Sequence, residues 1–271
     1  MDKHVDEFYQ CLSDESPHGK FHDVIKLHLR TDLSWAEAVE KVPHMTRGWY
    51  ELAHISTKDR IDFTFENWCA TMPYNPRTEF ALEHFFASLD EIGIYLIQKN
   101  WDDPYKVEMA YSLSNNAGFY RGGLPAGESD IVQLQKFFDK YILPVDYLAF
   151  LQIHSGFWKT TDCTGIAPAS LLPKKYVQFQ ELLAKEELLS TSKGEPVDPK
   201  ALIPFYESFG MPYYQCFWGE WYPEQEMGNV YYSSQIKAIP SVSGLTNEDL
   251  IAALAFPTFG DWLAFYLEPI G

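Results

Sequence analysis

A chain of 271 residues and 31.3 kDa, 46% hydrophobic and 22% charged, has the composition of one large folded domain or two and excludes a disordered polymer. The net charge of −17, from 38 acids against 21 bases, argues against binding to a nucleic-acid backbone. No apolar run approaches the roughly 20 residues that span a bilayer, so no membrane insertion is expected. The opening MDKHVDEFYQCLSDE is acidic and lacks an apolar stretch, so no secretory signal is expected either. Cys11, Cys69, Cys163 and Cys216 form no CxxC pair and read as reduced thiols of a cytoplasmic protein.

In chain order, the first part reads as mainly helical. FHDVIKLHLR places Phe21, Ile25 and Leu29 four apart, a helical spacing. Ser34 is the expected N-cap of WAEAVEKV, with Glu37 completing a capping box. Asp59 to Trp68 and Thr78 to Leu89 are two more amphipathic helices, separated by MPYNP. The period then changes. IGIYLIQ and VEMAYSLS read as a hairpin around the turn-forming NWDDPYK. A boundary is expected at Arg121-Gly-Gly-Leu-Pro-Ala-Gly, dividing residues 1–125 (12 bases, 20 acids, net −8) from 126–271 (9 bases, 18 acids, net −9). Two strands alone are marginal in water, so the hairpin is expected to pack on the second part.

Beyond the boundary, Ser129 is the expected N-cap of a helix over 130–142. A second helix begins at Pro144 and ends near Gly156, a position suited to a left-handed residue. GIAPASLL is a short strand or edge, and KKYVQFQELLAKEELL an amphipathic helix. ALIPFYES, PYYQCFW and NVYYSSQ read as three aromatic-rich strands, and Phe259 to Leu267 as the closing helix.

Four segments of this second part, in this order, resemble the SUKH superfamily, which includes fungal cell-wall-synthesis regulators and bacterial immunity proteins against polymorphic toxins. Leu143-Pro144-Val145-Asp146-Tyr147 with Phe150-Leu151 and Ser155-Gly156 is similar to its "LP-x-DY-xx-FL … NG" segment. Leu202-Ile203-Pro204-Phe205 resembles its "IPF" strand, and Gly228-Asn229-Val230-Tyr231-Tyr232 its "G-x-VY" strand. Phe259 to Leu267 resembles its closing "SF-xx-FL" helix. Ser155 stands where the family has Asn, Thr258 where it has Ser, and a strand that often alternates acids is aromatic here. The resemblance covers about residues 128–269. It implies an α+β fold, mainly an antiparallel sheet with flanking helices, and a non-catalytic, protein-binding role. Pro144, Tyr147, Gly156, Gly228 and Trp262 are then structural residues.

The chemistry-bearing residues give no competing assignment. His4, His18, His22 and His28 lie near Cys11, Asp14 and Asp23, but Pro17 and Gly19 disfavour the helix that would align His18 with His22, so no metal is expected. His154-Ser155 is a neighbouring pair whose side chains diverge, and there is no G-x-S-x-G elbow. No phosphate loop is present, and no cofactor is expected. Glu207, Glu220, Glu224 and Glu226 flank the aromatic strands, and a glycosidase needs two such carboxylates facing across a sugar.

Recognition remains. The fifteen residues from Pro212 to Glu226 hold six aromatics, three acids and no base; from residue 201 onward there are eight acids and one base, net −7. The field suits a basic protein partner. Tyr214, Trp218, Glu220, Trp221, Tyr222 and Glu224 are the expected partner-binding residues, with Trp221 an exposed anchor. Half the aromatics of an alternating strand must face away from one core, toward either solvent or a second layer. Immunity-type binding leads. A regulatory or scaffold role in cell-envelope or stress signalling, and a glycan binder or hydrolase built on the Trp/Tyr/Glu cluster, are the alternatives.

Overall fold

The computed structural model describes residues 1–13, 18–160, 162, 164–185, 189–208 and 213–268. The chain is α+β and divides into two units. Among the described residues, the first comprises Met1–Ala70 and Leu82–Leu124; the second comprises Thr71–Ala81 and Pro125–Glu268.

The first unit contains α1 (Lys3–Phe8), β1 (Asp23–Lys26), α2 (Trp35–Lys41), α3 (Arg47–Ala53) and all but the last residue of α4 (Thr57–Thr71). After α5 (Pro76–Ala87), which begins in the second unit, come β2 (Leu89–Gln98), β3 (Lys106–Leu113) and β4 (Phe119–Gly123). Ser34 caps α2 as expected: its hydroxyl accepts from the Glu37 N–H, while Glu37 accepts from the Ser34 N–H at 2.8 Å. The expected hairpin is β2 and β3, antiparallel. FHDVIKLHLR is a correction. Its centre is the edge strand β1, with Val24 opposite Ile97 and Ile25 opposite Leu96, followed by a single 3-10 turn over Leu27–Leu29. The β-branched pair and an open edge on β2 outweigh the four-residue spacing. β4 also replaces what reads as boundary loop, pairing Tyr120 with Tyr111 of β3.

Both faces of this antiparallel sheet are covered, which explains the unbroken buried run from Ile92 to Ile97. On one face Tyr9 stacks on Tyr95 with ring centroids 3.9 Å apart, beside Val5, Phe21 and Phe119. On the other, Trp68 of α4 donates its indole N–H to the Tyr111 hydroxyl at 3.2 Å, against Phe85 and Phe86. The Arg60 guanidinium is buried. It reaches Glu91 at 2.6 Å and the carbonyls of Leu52, Ala53, Ile55 and Ile92, tying the end of α3 and the start of α4 to β2.

The second unit continues with α6 (Glu128–Phe137), α7 (Val145–Leu151), β5 (Phe157–Lys159), β6 (Gly165–Ile166), α8 (Leu172–Leu183) and β7 (Ser190–Thr191). Then follow β8 (Leu202–Glu207), β9 (Tyr213–Trp218), β10 (Asn229–Ser233), β11 (Ala238–Ile239), α9 (Asn247–Ala252), β12 (Ala255–Phe256) and α10 (Phe259–Leu267). The three expected aromatic strands are β8, β9 and β10, adjacent and antiparallel within the order β5-β6-β8-β9-β10-β12; β7 and β11 form a separate parallel pair. The N-cap of α6 is Gly127 rather than Ser129, because Asp130 reaches back to accept from the Gly127 N–H at 3.1 Å. Gly156 has φ +95°, as its place in the sequence requires. It lies in the turn into β5 rather than directly after the helix, since α7 ends at Leu151.

Alternation on β9 sorts its aromatics onto two covered faces. Cys216 and Trp218 join Phe179 and Leu183 of α8, with Val230 and Tyr232 of β10. Phe217 points the other way, 4.9 Å from Tyr147 of α7 and 4.2 Å from Phe205 of β8. Trp262 of α10 closes that layer against Phe205 at 4.8 Å. Phe205, Phe217, Trp218 and Tyr232 are therefore core, on one side of the sheet or the other, while Tyr206, Tyr213, Tyr214 and Tyr231 are half-buried. Buried Asn229 bonds Gln215 at 2.8 Å and the carbonyls of Phe256 and Thr258, joining β9 and β10 to the lead-in of α10.

Candidate functional site

The turn joining β9 to β10 carries most of the expected partner-binding residues, and burial divides them. Trp218 is a correction: its ring belongs to the core with α8, and its indole N–H donates to Glu220 at 3.3 Å. Tyr214 and Trp221 are half-buried. Glu220, Tyr222 and Glu224 are exposed, Tyr222 at 43%.

Trp221 is held from below. A Cβ on Gly228 would stand 2.4 Å from its ring, so only glycine lets the indole lie flat on the start of β10. Two backbone bonds of 2.9 Å fix the turn, Trp221 N–H to the Trp218 carbonyl and Gly228 N–H to the Trp221 carbonyl. Trp221 is thus a pedestal for the turn rather than an exposed anchor. Gly219 serves a similar end, since a Cβ there would stand 2.4 Å from the Tyr141 ring.

Beside this turn the second unit opens into a cleft of about 310 Å³, lined among others by Tyr74, Thr78, Val145, Asp146, Glu224 and Glu226. Asp146 is its chemical centre. One carboxylate oxygen accepts from the Gly260 N–H at 2.7 Å, and the other from the Tyr147 N–H at 2.8 Å. Burial nevertheless pushes its pKa up to about 6; the two backbone donors oppose that shift, and the charges of Glu226 and Asp261 add to it. Glu226 accepts from the Val145 N–H at 3.3 Å. Thr78 is 2% exposed, and its hydroxyl has no hydrogen-bond partner among the described residues.

Asp146, Glu226 and Thr78 are functional candidates that a linear reading misses. Asp146 sits in plain view inside Leu143-Pro144-Val145-Asp146-Tyr147, where it reads as part of a helix start. Pro144 does cap α7, and Tyr147 is fully buried. No local pattern announces that these groups meet Thr78 of α5.

The other candidates have structural occupations. His154 is buried and stacks on Phe157, and the Ser155 hydroxyl accepts from the Ala169 N–H at 3.0 Å. Glu207 pairs with Lys175 at 2.9 Å. His28 is half-buried with its ring edge-on to Tyr95, and desolvation lowers its pKa to about 4. His18 and His22 are not brought onto one helix. Asp14 and Cys163 lie outside the described residues. Among the described residues no group of three or more His, Cys, Asp or Glu is arranged to hold a metal ion, and no helix is long and apolar enough to cross a membrane.

Compared with known families, residues 125–264 match the family described as SMI1 / KNR4 family (SUKH-1). The match includes Asp146, Trp221, Glu226 and Gly260; Tyr74 and Thr78 precede it. None of the curated proteins compared with the chain matches it.

Proposed function

The chain belongs to the SMI1/KNR4 family (SUKH-1), and from that premise we propose that it is a non-catalytic protein-binding module of the immunity type, acting in the cytoplasm on a basic toxin or effector domain. The observation that carries this reading is the turn between β9 and β10. It presents the exposed Tyr222 between Glu220 and Glu224 on a backbone already fixed by Trp221 and Gly228. A rigid aromatic with acids around it loses little conformational entropy when it meets a basic surface. The net −7 beyond residue 201 adds long-range attraction for such a partner.

The test is capture from the native cell with the wild-type chain and with the Glu220→Gln/Glu224→Gln variant, followed by calorimetry on the identified protein at low and high salt. The expected result is one basic protein. It is harmful when expressed alone, harmless when co-expressed, and bound at least tenfold more weakly by the variant. Several weak partners, insensitive to salt and to the variant, would instead identify a regulatory scaffold.

A further inference from the structure

We propose that the cleft between Asp146, Glu224, Glu226 and Thr78 is the seat of a single arginine or lysine side chain supplied by the protein partner. The inference rests on the protein-binding reading above and specifies how one residue of that partner is recognised.

Four observations support it. Size comes first: about 310 Å³ is at the small end of ligand sites and suits one extended side chain. Charge comes second. Three carboxylates line the cleft, and no lysine, arginine or histidine among the described residues does; the nearby Arg77 is turned to Asp261 at 3.6 Å. Third, the Thr78 hydroxyl, on a residue that lines the cleft, is buried and has no hydrogen-bond partner among the described residues, so its capacity as an acceptor is unused. The fourth is the rim. Tyr74 is 80% exposed and Val145 56%, an apolar mouth for the methylene stem of a basic side chain and a ring face for its charge.

An organic cation fits better than a metal ion. Both Asp146 oxygens already hold backbone N–H groups and Glu226 holds a third, which leaves lone pairs for hydrogen bonding but not a convergent coordination shell. The site is also linked to pH. The charged groups around Asp146 are Glu226 and Glu224 from the β9–β10 turn, Asp261 from α10 and, beyond it, Arg77 from α5. An arriving cation favours the ionised form of Asp146, so it binds best above pH 6 and more weakly as Asp146 takes up its proton.

The experiment is a chemical-shift titration of the full chain with N-acetyl-arginine methylamide, N-acetyl-lysine methylamide and the neutral N-acetyl-norleucine methylamide. Saturable shifts at the Val145, Tyr147 and Gly260 amides are expected with a cationic probe and not with the neutral one. Affinity should fall threefold or more from pH 7.5 to pH 5, and likewise in Glu226→Gln and in Thr78→Val, both of which keep the local shape. Equal shifts from the norleucine probe, or no loss in either variant, overturn the assignment. If the captured partner binds Glu226→Gln and Thr78→Val as it binds wild type, the cleft is wrong while the protein-binding reading stands. A chain that takes the arginine probe but captures no protein overturns the partner's role in favour of a free organic cation.

Discussion

Asp146 and Gly260, 114 residues apart, are joined by a 2.7 Å hydrogen bond from the Gly260 backbone N–H to the Asp146 carboxylate. The bond ties the start of α7 to the first turn of α10, the two helices that cover the Phe205–Phe217 face of the sheet. It also joins the first and last of the four family-like segments. A Cβ on Gly260 would lie 2.6 Å from the Thr78 hydroxyl and 3.4 Å from Asp146, so the approach depends on glycine.

The raised pKa of Asp146 gives a pH dependence of known sign. Below about pH 4 the carboxyl is protonated in both the folded and the unfolded chain. Between pH 4 and 6 the unfolded chain ionises first, so stability is lost as pH rises and the loss is complete above about 6. A shift from 3.8 to about 6 corresponds to a loss on the order of 2 to 3 kcal/mol. Asp146→Asn lacks this titration. Urea unfolding of both chains at pH 4 and pH 7 should therefore show wild type losing ground relative to the variant, and parallel curves would show an ordinary aspartate.

Arg60 is the corresponding tie in the first unit. Its guanidinium serves Glu91 and four carbonyls at once, a fan of donors that lysine cannot reproduce. Arg60→Met leaves Glu91 partly buried and without its guanidinium partner. The expected cost is about 3 to 5 kcal/mol, read from denaturant midpoints, with Arg60→Lys recovering only a fraction.

Gly156→Ala tests a backbone requirement. At φ +95° an alanine is strained, and its Cβ would stand 2.6 Å from the Trp158 ring and 3.0 Å from Pro168. A loss of about 2 kcal/mol in unfolding free energy is expected, with partner affinity unchanged. Stability within 0.5 kcal/mol of wild type would mean that the turn reshapes freely.

What was legible in the sequence was what local physics decides. The Ser34–Glu37 box, the closing helix from Phe259 to Leu267 and the three aromatic strands follow from capping groups and periodicity within a few residues of one another. Phe21, Ile25 and Leu29 mislead because strand edges recruit β-branched residues whatever their helical spacing, and the partner strand begins more than sixty residues later. Helix α3 passes unnoticed although Thr46 caps it, its hydroxyl accepting from the Trp49 N–H; that Thr was the available signal. The cleft was illegible for a stronger reason. Thr78, Asp146, Glu226 and Gly260 come from four separate segments, and each alone has an ordinary local explanation.

Burial also determines which aromatic to test at the β9–β10 turn. Trp221 lies on Gly228 and against the α8-side core, so Trp221→Ala should cost about 2 kcal/mol and weaken binding only by loosening the turn. Tyr222 is its neighbour and points into solvent, so its loss leaves the fold within about 0.5 kcal/mol of wild type. If this ring is the contact residue, Tyr222→Ala lowers affinity for the captured partner by tenfold or more, about 1.4 kcal/mol. Tyr222→Phe should retain most of that affinity, because the flat apolar surface remains. The carboxylates act differently: Glu220→Gln and Glu224→Gln should slow association and flatten its salt dependence, with dissociation little changed. Paired calorimetry and stopped-flow measurements on the three positions separate the two contributions. Full affinity in Tyr222→Ala, alongside a stable fold, would move the contact surface away from this turn.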